Sequence, residues 1–84
     1  MTILRNDIGR IPTDAEQERL KNNFTYHPPK GDQTEKYELI RDAAKAFAWV
    51  LLRLCPESRE LSLAITHLED AVMWANSAIA RNEP

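Results

Sequence analysis

The residues best suited to chemistry lie close together in one segment, which reads FTYHPPKGDQTEKYELIR over residues 24–41. Tyr26 offers a flat ring on which a nucleobase can stack, an interaction worth about 1–3 kcal/mol per base. Lys30 and Arg41 can neutralise phosphate, and the amide of Gln33 can hydrogen-bond a base edge or a sugar hydroxyl. A ring, two cations and an amide in one segment indicate a local site for a nucleotide-like anion.

The backbone of this segment is restricted by proline. Pro28 and Pro29 favour an extended chain, and His27 is biased away from helical geometry because a proline follows it. Gly31 provides the freedom for a bend into Asp32, which is expected to cap the following helix. Such a loop loses little further entropy when it meets a ligand, so the pattern predicts a preorganised site in which His27 is a further candidate contact.

Three other polar residues are weaker candidates for the same site. Lys36 follows in the next helix, where it is more typical of a solvated surface charge than of a ligand contact. Asn76 and Arg81 lie near the C-terminus. An asparagine on a long helix often forms a hydrogen bond to a neighbouring helix, and the positive charge of an arginine is favourable at the C-terminal end of a helix. The plainer interpretations of Tyr26 and Arg41 are a loop aromatic and a surface ion pair. Residue spacing alone leaves these alternatives open.

Composition excludes several classes of function. Eleven Lys and Arg face thirteen Asp and Glu, a net charge of −2, so general binding to DNA through its phosphate backbone is not expected. The single cysteine, Cys55, rules out an internal disulfide and is typical of a reducing cytosol. One cysteine and two distant histidines lack metal-ligand spacing, and no cofactor motif is present, so neither metal nor cofactor is expected. The sequence shows neither a secretory leader nor a long apolar run, so contact with a membrane is not expected.

The start of the chain predicts an irregular arm followed by a short helix. Residues 1–12 have no period and contain Gly9 and Pro12. Thr13 stands three residues before Glu16, which is the spacing of a capping box. A first helix is therefore expected over residues 14–22, and residues 1–23 are expected to form an N-terminal part outside the main hairpin.

Two long helices are predicted to follow. The first opens at Asp32, three residues before Glu35 in a second capping-box spacing, and ends near Cys55 because Pro56 comes next. Its apolar residues repeat at three and four, as in a heptad seam: Tyr37, Ile40, Ala44, Phe47, Leu51 and Leu54. Tyr37 is accordingly more typical of a core position than of a ligand platform.

The last helix is predicted from a cap at Ser58 to about Arg81. Its seam consists of Leu61, Ile65, Leu68, Val72, Ala75 and Ile79. Only CPES separates the two long helices, and so short a connection makes them antiparallel neighbours. The fold class is therefore all-α: an antiparallel helical hairpin over residues 24–84, with the ligand-binding loop at its start and a short N-terminal helix beside it.

The apolar residues are too many for one hairpin seam. Trp49 and Trp74, together with neighbouring alanines, widen each helix's apolar stripe beyond a two-helix contact. A domain of 84 residues also buries little surface alone. These features predict a homo-oligomer, in which clefts between subunits can hold a ligand.

The loop and the last helix together resemble a known family. The segments FTYHPPKGDQTEKYELIRDAAK (residues 24–45) and LCPESRELSLAITHLEDAVMWANSAIARNE (residues 54–83) resemble the small phage cyclic-oligonucleotide sponges of the type-two anti-CBASS class, and the likeness extends over about residues 24–83. Their hairpin domain is shared with the type-one anti-Thoeris sponges. Two separate segments match in the same order and at the expected distance.

The resemblance implies a function. Family members form compact hexamers in the host bacterial cytoplasm and sequester cyclic dinucleotides such as 3′,3′-cyclic GMP–AMP (cGAMP) without cleaving them; some also hold cyclic trinucleotides. By this resemblance Tyr26 stacks on a base and Arg41 contacts phosphate. Arginine stands at residue 41 where lysine is expected, and the two cations differ in donor geometry, so ligand preference stays open.

Two functions of other classes remain as alternatives. The wide apolar faces also suit a protein-binding module that has no nucleotide ligand. A small nucleotide-cleaving enzyme would have His27 as the only base in the loop. No nucleophile and base pair of the kind used in phosphodiester cleavage is recognisable, so an enzyme is not expected.

Overall fold

The structure is a computed structural model that describes residues 7–84. Within them the chain forms three α-helices and no strand: α1 (Asp14–Asn23), α2 (Gln33–Leu54) and α3 (Arg59–Asn82). The all-α prediction is confirmed, and the helices end close to the predicted residues. Residues 7–13 are irregular as expected; the first six residues of the predicted arm lie outside the described residues.

The capping box at the start of α1 is confirmed. The amide of Glu16 donates to Thr13 Oγ1 at 3.2 Å, and the amide of Thr13 donates to Glu16 Oε1 at 2.9 Å. Arg10 adds two further hydrogen bonds, one to each carboxylate oxygen of Glu16, both at 2.7 Å. The irregular arm is thereby attached to the first turn of α1.

The predicted cap at the start of α2 is wrong. Asp32 occupies the N-cap position, but its side chain makes no capping hydrogen bond. Its backbone, with φ −90° and ψ 10°, differs from the extended geometry of Thr13 that returns a side chain over the first turn. The carboxylate instead lies 3.4 Å from Lys36 Nζ. The bend at Gly31 is present, with φ +58° in the region that favours glycine.

The two long helices pack against each other as the predicted hairpin. Cys55 is extended, as the following Pro56 requires, and Ser58 Oγ accepts a hydrogen bond from the amide of Leu61 at 3.1 Å. All six predicted seam residues of α3 are half-buried. The connection between Leu54 and Arg59 therefore reverses the chain directly into the packed pair.

The predicted seam of α2 is partly wrong. Phe47 is 53% exposed and Leu54 is 78% exposed, whereas Ala48 is half-buried. The half-buried apolar residues of α2 are spaced three, four, four and three apart: Tyr37, Ile40, Ala44, Ala48 and Leu51. Two successive steps of four bring Ala48 to the inward face in place of Phe47, as the period of a straight helix allows. Leu54 is the last residue of α2, beside the turn, where the partner helix has not yet begun.

The hairpin leaves most of its apolar surface accessible. Among residues 7–84, no apolar side chain is fully buried, and Trp49 and Trp74 are each about two-thirds exposed. The one buried residue in this range is polar: Gln33, at 4% exposure. None of the described helices combines the length and apolar content required to cross a bilayer.

The ion pair between Arg10 and Glu16 predicts a lowered pKa for the Glu16 carboxyl, which can be measured. Hydrogen bonds from Arg10, followed by the one from the Thr13 amide, lower the pKa of Glu16 from 4.5 to about 2. Because the folded pKa is the lower one, the pair stabilises the fold above pH 4.5 and this contribution is lost as pH falls towards 2. NMR titration should place the Glu16 midpoint near 2 in the native chain and closer to 4.5 in Arg10→Ala. Arg53→Ala, on α2, should leave it unchanged; a normal midpoint in the native chain would contradict the pairing.

The hairpin seam can be tested at Leu68. A carboxylate in this half-buried apolar seam lacks a partner, so Leu68→Asp should lower the free energy of unfolding by about 2 kcal/mol or more. Thr66→Asp adds the same charge at an exposed position of α3 and should cost much less. Chemical denaturation followed by circular dichroism measures both. Equal losses in the two variants would mean that the seam does not hold the helices together.

Candidate functional site

The candidate site lies where the start of α2 and the end of α3 meet the loop of residues 24–32. The turn at the other end of the hairpin makes the helices antiparallel, so the first turns of α2 lie beside the last turns of α3. The loop runs from the end of α1 to the start of α2. The loop therefore lies beside the last two turns of α3, with Tyr26 largely exposed to solvent.

A cavity of about 470 Å³ opens at this junction. It brings together five of the predicted site residues: Tyr26, His27, Arg41, Asn76 and Arg81. The volume falls within the range of about 300–1,000 Å³ that is usual for small-molecule sites. Residues from the loop, α2 and α3, from Thr25 to Arg81 in the sequence, thus share one pocket.

The remaining predicted residues line adjoining spaces. Lys30 and Gln33 line a second cavity of about 310 Å³, which shares His27 and Arg81 with the first. Lys36 lines a smaller third one of about 280 Å³, next to Lys30 and Gln33. The structure therefore separates a main cavity around Tyr26 and Arg41 from a second cavity behind His27 and Arg81.

The lining of the main cavity carries positive charge without a counter-charge. Arg41 and Arg81 contribute two guanidinium groups, and none of the nine lining residues is acidic. The whole chain has a net charge of −2, so this concentration of cations is local. Two arginines facing a pocket without carboxylates suit an anion such as phosphate. Within residues 7–84, no group of three or more His, Cys, Asp or Glu is placed to hold a metal ion.

Asn76 supplies an unused acceptor beside the cavity. Its Oδ1 atom is enclosed and has no hydrogen-bond partner among the described residues. A buried acceptor without a donor costs about 1–3 kcal/mol. Because this oxygen is enclosed, a ligand donor would reach it only after the Asn76 side chain turned towards the cavity.

The end of α1 is tied to the end of α3 beside the cavity. Asn22 Nδ2 donates to the carbonyl of Arg81 at 3.1 Å, and the Arg81 guanidinium donates to the carbonyl of Asn23 at 3.4 Å. His27 Nε2 lies 2.7 Å from the carbonyl of Asn22. Because a carbonyl only accepts, His27 donates this hydrogen bond and its Nε2 carries a proton. These contacts fix the first half of the loop.

Gln33 is turned inward in this structure. Its Oε1 accepts a hydrogen bond from the amide of Lys30, and its Nε2 donates to Glu83 Oε1, both at 3.1 Å. Lys36 Nζ donates to the other oxygen of Glu83 at 2.6 Å. Hydrogen bonds from Lys36 and then Gln33 lower the pKa of Glu83, and the bond to Glu83 raises the pKa of Lys36. Gln33 and Lys36 thus act as structural contacts here, and their roles as ligand contacts stay predictions.

Sequence reasoning missed four residues that line the main cavity: Thr25, Tyr37, Ser77 and Ala80. Tyr37, a predicted seam residue, is half-buried and also lines the pocket. Helical spacing was the available signal, since Tyr37 lies one turn before Arg41 and Ser77 one turn before Arg81. Thr25 immediately precedes Tyr26 and donates its hydroxyl hydrogen bond to the carbonyl of Lys21.

Comparison with known proteins identifies the family. Residues 16–80, about three quarters of the chain, match the family model described as Acb2/Tad1, hairpin domain. This chain belongs to the Acb2/Tad1 hairpin family. The resemblance to the anti-CBASS and anti-Thoeris sponges is thereby confirmed. No curated protein and no solved structure matches the chain.

Membership in the Acb2/Tad1 hairpin family supports a sponge-type role in phage immune evasion, with binding of cyclic oligonucleotide messengers in general. The matched segment contains Tyr26, Arg41 and Asn76, and so most of the main cavity. Arg81 and Glu83 lie beyond its end at residue 80. The contacts made by the last turn of α3 are therefore features of this chain that the family match does not cover.

Proposed function

We propose that this Acb2/Tad1-type chain binds a cyclic dinucleotide messenger of bacterial anti-phage defence, such as 3′,3′-cGAMP, and sequesters it without cleaving it. The observation that carries the proposal is the main cavity, where Tyr26, Arg41 and Arg81 meet without any acidic lining residue. The proposed place of action is the cytoplasm of the host bacterium, where such messengers are made.

The two halves of a nucleotide have matching groups in the cavity. The Tyr26 side chain is exposed, with relative accessibility 81%, so a ring face is available for a base. Arg41 can form two parallel hydrogen bonds with one phosphate, because its guanidinium presents donors in a fixed fork. One pocket thus contains a ring that can stack on a base, Tyr26, and a cation that can bind a phosphate, Arg41.

Asn76 supports a contact to a polar ligand edge. Its enclosed Oδ1 atom has no donor among residues 7–84, and a base amino group or a sugar hydroxyl would supply one. An anion alone would leave this acceptor unsatisfied. Rotation of the Asn76 side chain towards the cavity would expose this acceptor, and together with two guanidinium groups it would favour a nucleotide over a simple inorganic anion.

The proposed assembly is a homo-oligomer with the ligand at a boundary between subunits. A hairpin without a fully buried apolar side chain in residues 7–84 gains stability when copies cover its exposed faces. Phe47, Val50 and Leu54 lie on one exposed face of α2, and Trp74 is exposed on α3. We take the hexamer from the resemblance to the sponges. Two symmetry-related copies of Arg41 would then each meet one of the two phosphates of the ligand.

Binding of a cyclic trinucleotide is proposed from the resemblance to the sponges alone, because the second cavity, at about 310 Å³, is smaller than the main cavity of about 470 Å³ proposed for the dinucleotide. The second cavity lies behind His27 and Arg81 and carries Lys30 as a further cation. Both cavities share His27 and Arg81, so a ligand in one would contact residues that also face the other.

The lining of the main cavity supports sequestration over cleavage. His27 Nε2 donates to the carbonyl of Asn22, which leaves Nδ1 as the one imidazole nitrogen that could take a proton. No carboxylate among the lining residues could orient this imidazole or act as a second base. A ligand held there would be expected to leave unchanged.

A protein-binding module is the second candidate function. It is favoured by an apolar groove on α2, lined by Ala46, Trp49, Val50 and Leu52, which lies away from the loop. Calorimetric silence against a panel of cyclic di- and trinucleotides would favour this function over the sponge.

Intact release is the direct test of sequestration. The purified chain should bind 3′,3′-cGAMP with a Kd below about 1 μM, which corresponds to more than about 8 kcal/mol. Heat denaturation should then return the unchanged ligand, identified by chromatography beside a sample incubated without protein. Native mass spectrometry of the same complex reports the number of subunits and bound ligands. Recovery of linear or mononucleotide products alone would replace the sponge with a phosphodiesterase.

Substitution of Tyr26 and Arg41 tests the two contacts. Tyr26→Ala and Arg41→Ala should each weaken cGAMP binding by about 1–3 kcal/mol through lost stacking or lost charge-assisted hydrogen bonds. Tyr26→Phe keeps the ring and should retain most of the affinity. Arg53→Ala removes an exposed arginine from the other end of α2 and should change the Kd little. Isothermal titration calorimetry measures the Kd, and native mass spectrometry checks the assembly; loss of assembly in either alanine variant would assign that residue to packing.

A further inference from the structure

We propose that Glu83, at the end of α3, is a positioning residue that holds the loop of residues 24–32 in its ligand-binding conformation through Gln33 and Lys36. The inference rests on the proposed function of the main cavity. Glu83 lies beyond the segment that matches the Acb2/Tad1 family model, which ends at residue 80.

The first contact runs through the most buried side chain described. Gln33 is 4% exposed, and its two amide atoms join the loop to the end of the chain: Oε1 accepts from the amide of Lys30, and Nε2 donates to Glu83 Oε1. No apolar side chain is fully buried among residues 7–84, yet this polar one is. Its burial is tolerated because the oxygen and the nitrogen of its amide both have hydrogen-bond partners. It fixes the second half of the loop relative to α3.

In the second contact, the carboxylate of Glu83 also binds Lys36, so it bridges Gln33 and Lys36. Lys36 Nζ donates to Glu83 Oε2 at 2.6 Å, so each carboxylate oxygen has its own donor on the first turn of α2. Asp32 lies 3.4 Å from the same ammonium group. Glu83 is itself held, because its amide donates to the carbonyl of Ile79 at 3.1 Å. The lowered pKa of Glu83 keeps the carboxylate ionised at neutral pH.

The loop is thereby attached to the end of α3 at both of its ends. Asn22 and Arg81 hold the α1 side, and Glu83 holds the α2 side through Gln33. Tyr26 lies between these two attachments. Removal of the Glu83 carboxylate leaves the first attachment in place and releases the second. A smaller fraction of molecules then holds the loop in the ligand-binding conformation. The apparent Kd rises as the inverse of that fraction.

Positioning and simple electrostatics predict opposite signs. Glu83 lines the second cavity beside Lys30 and Arg81, close to where an anion is proposed to bind. If Glu83 acted only through its negative charge, its removal would tighten binding of an anionic ligand. If it positions the loop, its removal weakens binding despite the gain of positive potential. The direction of the change therefore separates the two roles.

The binding experiment compares Glu83→Ala and Glu83→Gln with Glu57→Gln in the assembled protein, with 3′,3′-cGAMP as the probe. Glu57 is an exposed glutamate in the turn at the far end of the hairpin, so its substitution makes the same charge change away from the site. Stopped-flow kinetics should show association slowed about 5–10-fold in Glu83→Ala, less in Glu83→Gln, and little altered in Glu57→Gln, with similar dissociation rates in all three. Unchanged or tighter binding by both Glu83 variants would overturn the proposal.

A ligand-free measurement separates this inference from the proposed function. Hydrogen exchange should be faster at the amide of Lys30 in Glu83→Ala, because the Gln33 acceptor loses its anchor, while amides within the α2–α3 seam keep native protection. Native protection at Lys30 would overturn the positioning role. Loss of protection throughout the seam would also overturn it, since Glu83 would then support the whole fold. If the native chain bound no cGAMP, the proposed function would fail while the exchange result would still report on the loop.

Discussion

The antiparallel register of α2 and α3 is the constraint on which the rest of this structure depends. Only a short turn separates Leu54 from Arg59, so the helices have to pack side by side, and the end of α3 has to return to the start of α2. Arg41 and Arg81, forty positions apart, meet in one cavity for this reason. Any change in register would move the loop, both guanidinium groups and Asn76 relative to one another.

Polar contacts, rather than an apolar core, hold the functional end of the hairpin. Gln33 is the buried residue there, and its partners Lys30 and Glu83 belong to the loop and to the end of the chain. A polar junction of this kind is costly unless every group is satisfied, and it therefore defines one geometry of the loop more strictly than apolar contacts would. The exposed apolar faces along the helices are left for association, which suits a small chain that buries little surface by itself.

Membership in the Acb2/Tad1 hairpin family and the charge of the cavity point in the same direction. The chain is acidic overall, yet the pocket that the loop covers presents two arginines and no carboxylate. A sponge needs tight binding and slow release more than it needs reactive groups. In the proposed sponge, the restrained loop would lower the ordering cost of binding, while Tyr26 and the two arginines would supply stacking and charge.

The sequence by itself determined the local structure: the capping box at Thr13, the α3 seam and the short turn. It also singled out the segment around Tyr26 and Arg41, which the structure places in one cavity, as the candidate site. These depend on residues within a few positions of one another, where spacing and backbone preference are sufficient. The tertiary structure alone decided that Ala48 rather than Phe47 faces α3, and that Gln33 is buried against Glu83. The partner of Gln33 lies fifty positions away, so only the final register of the packed helices can bring the two together.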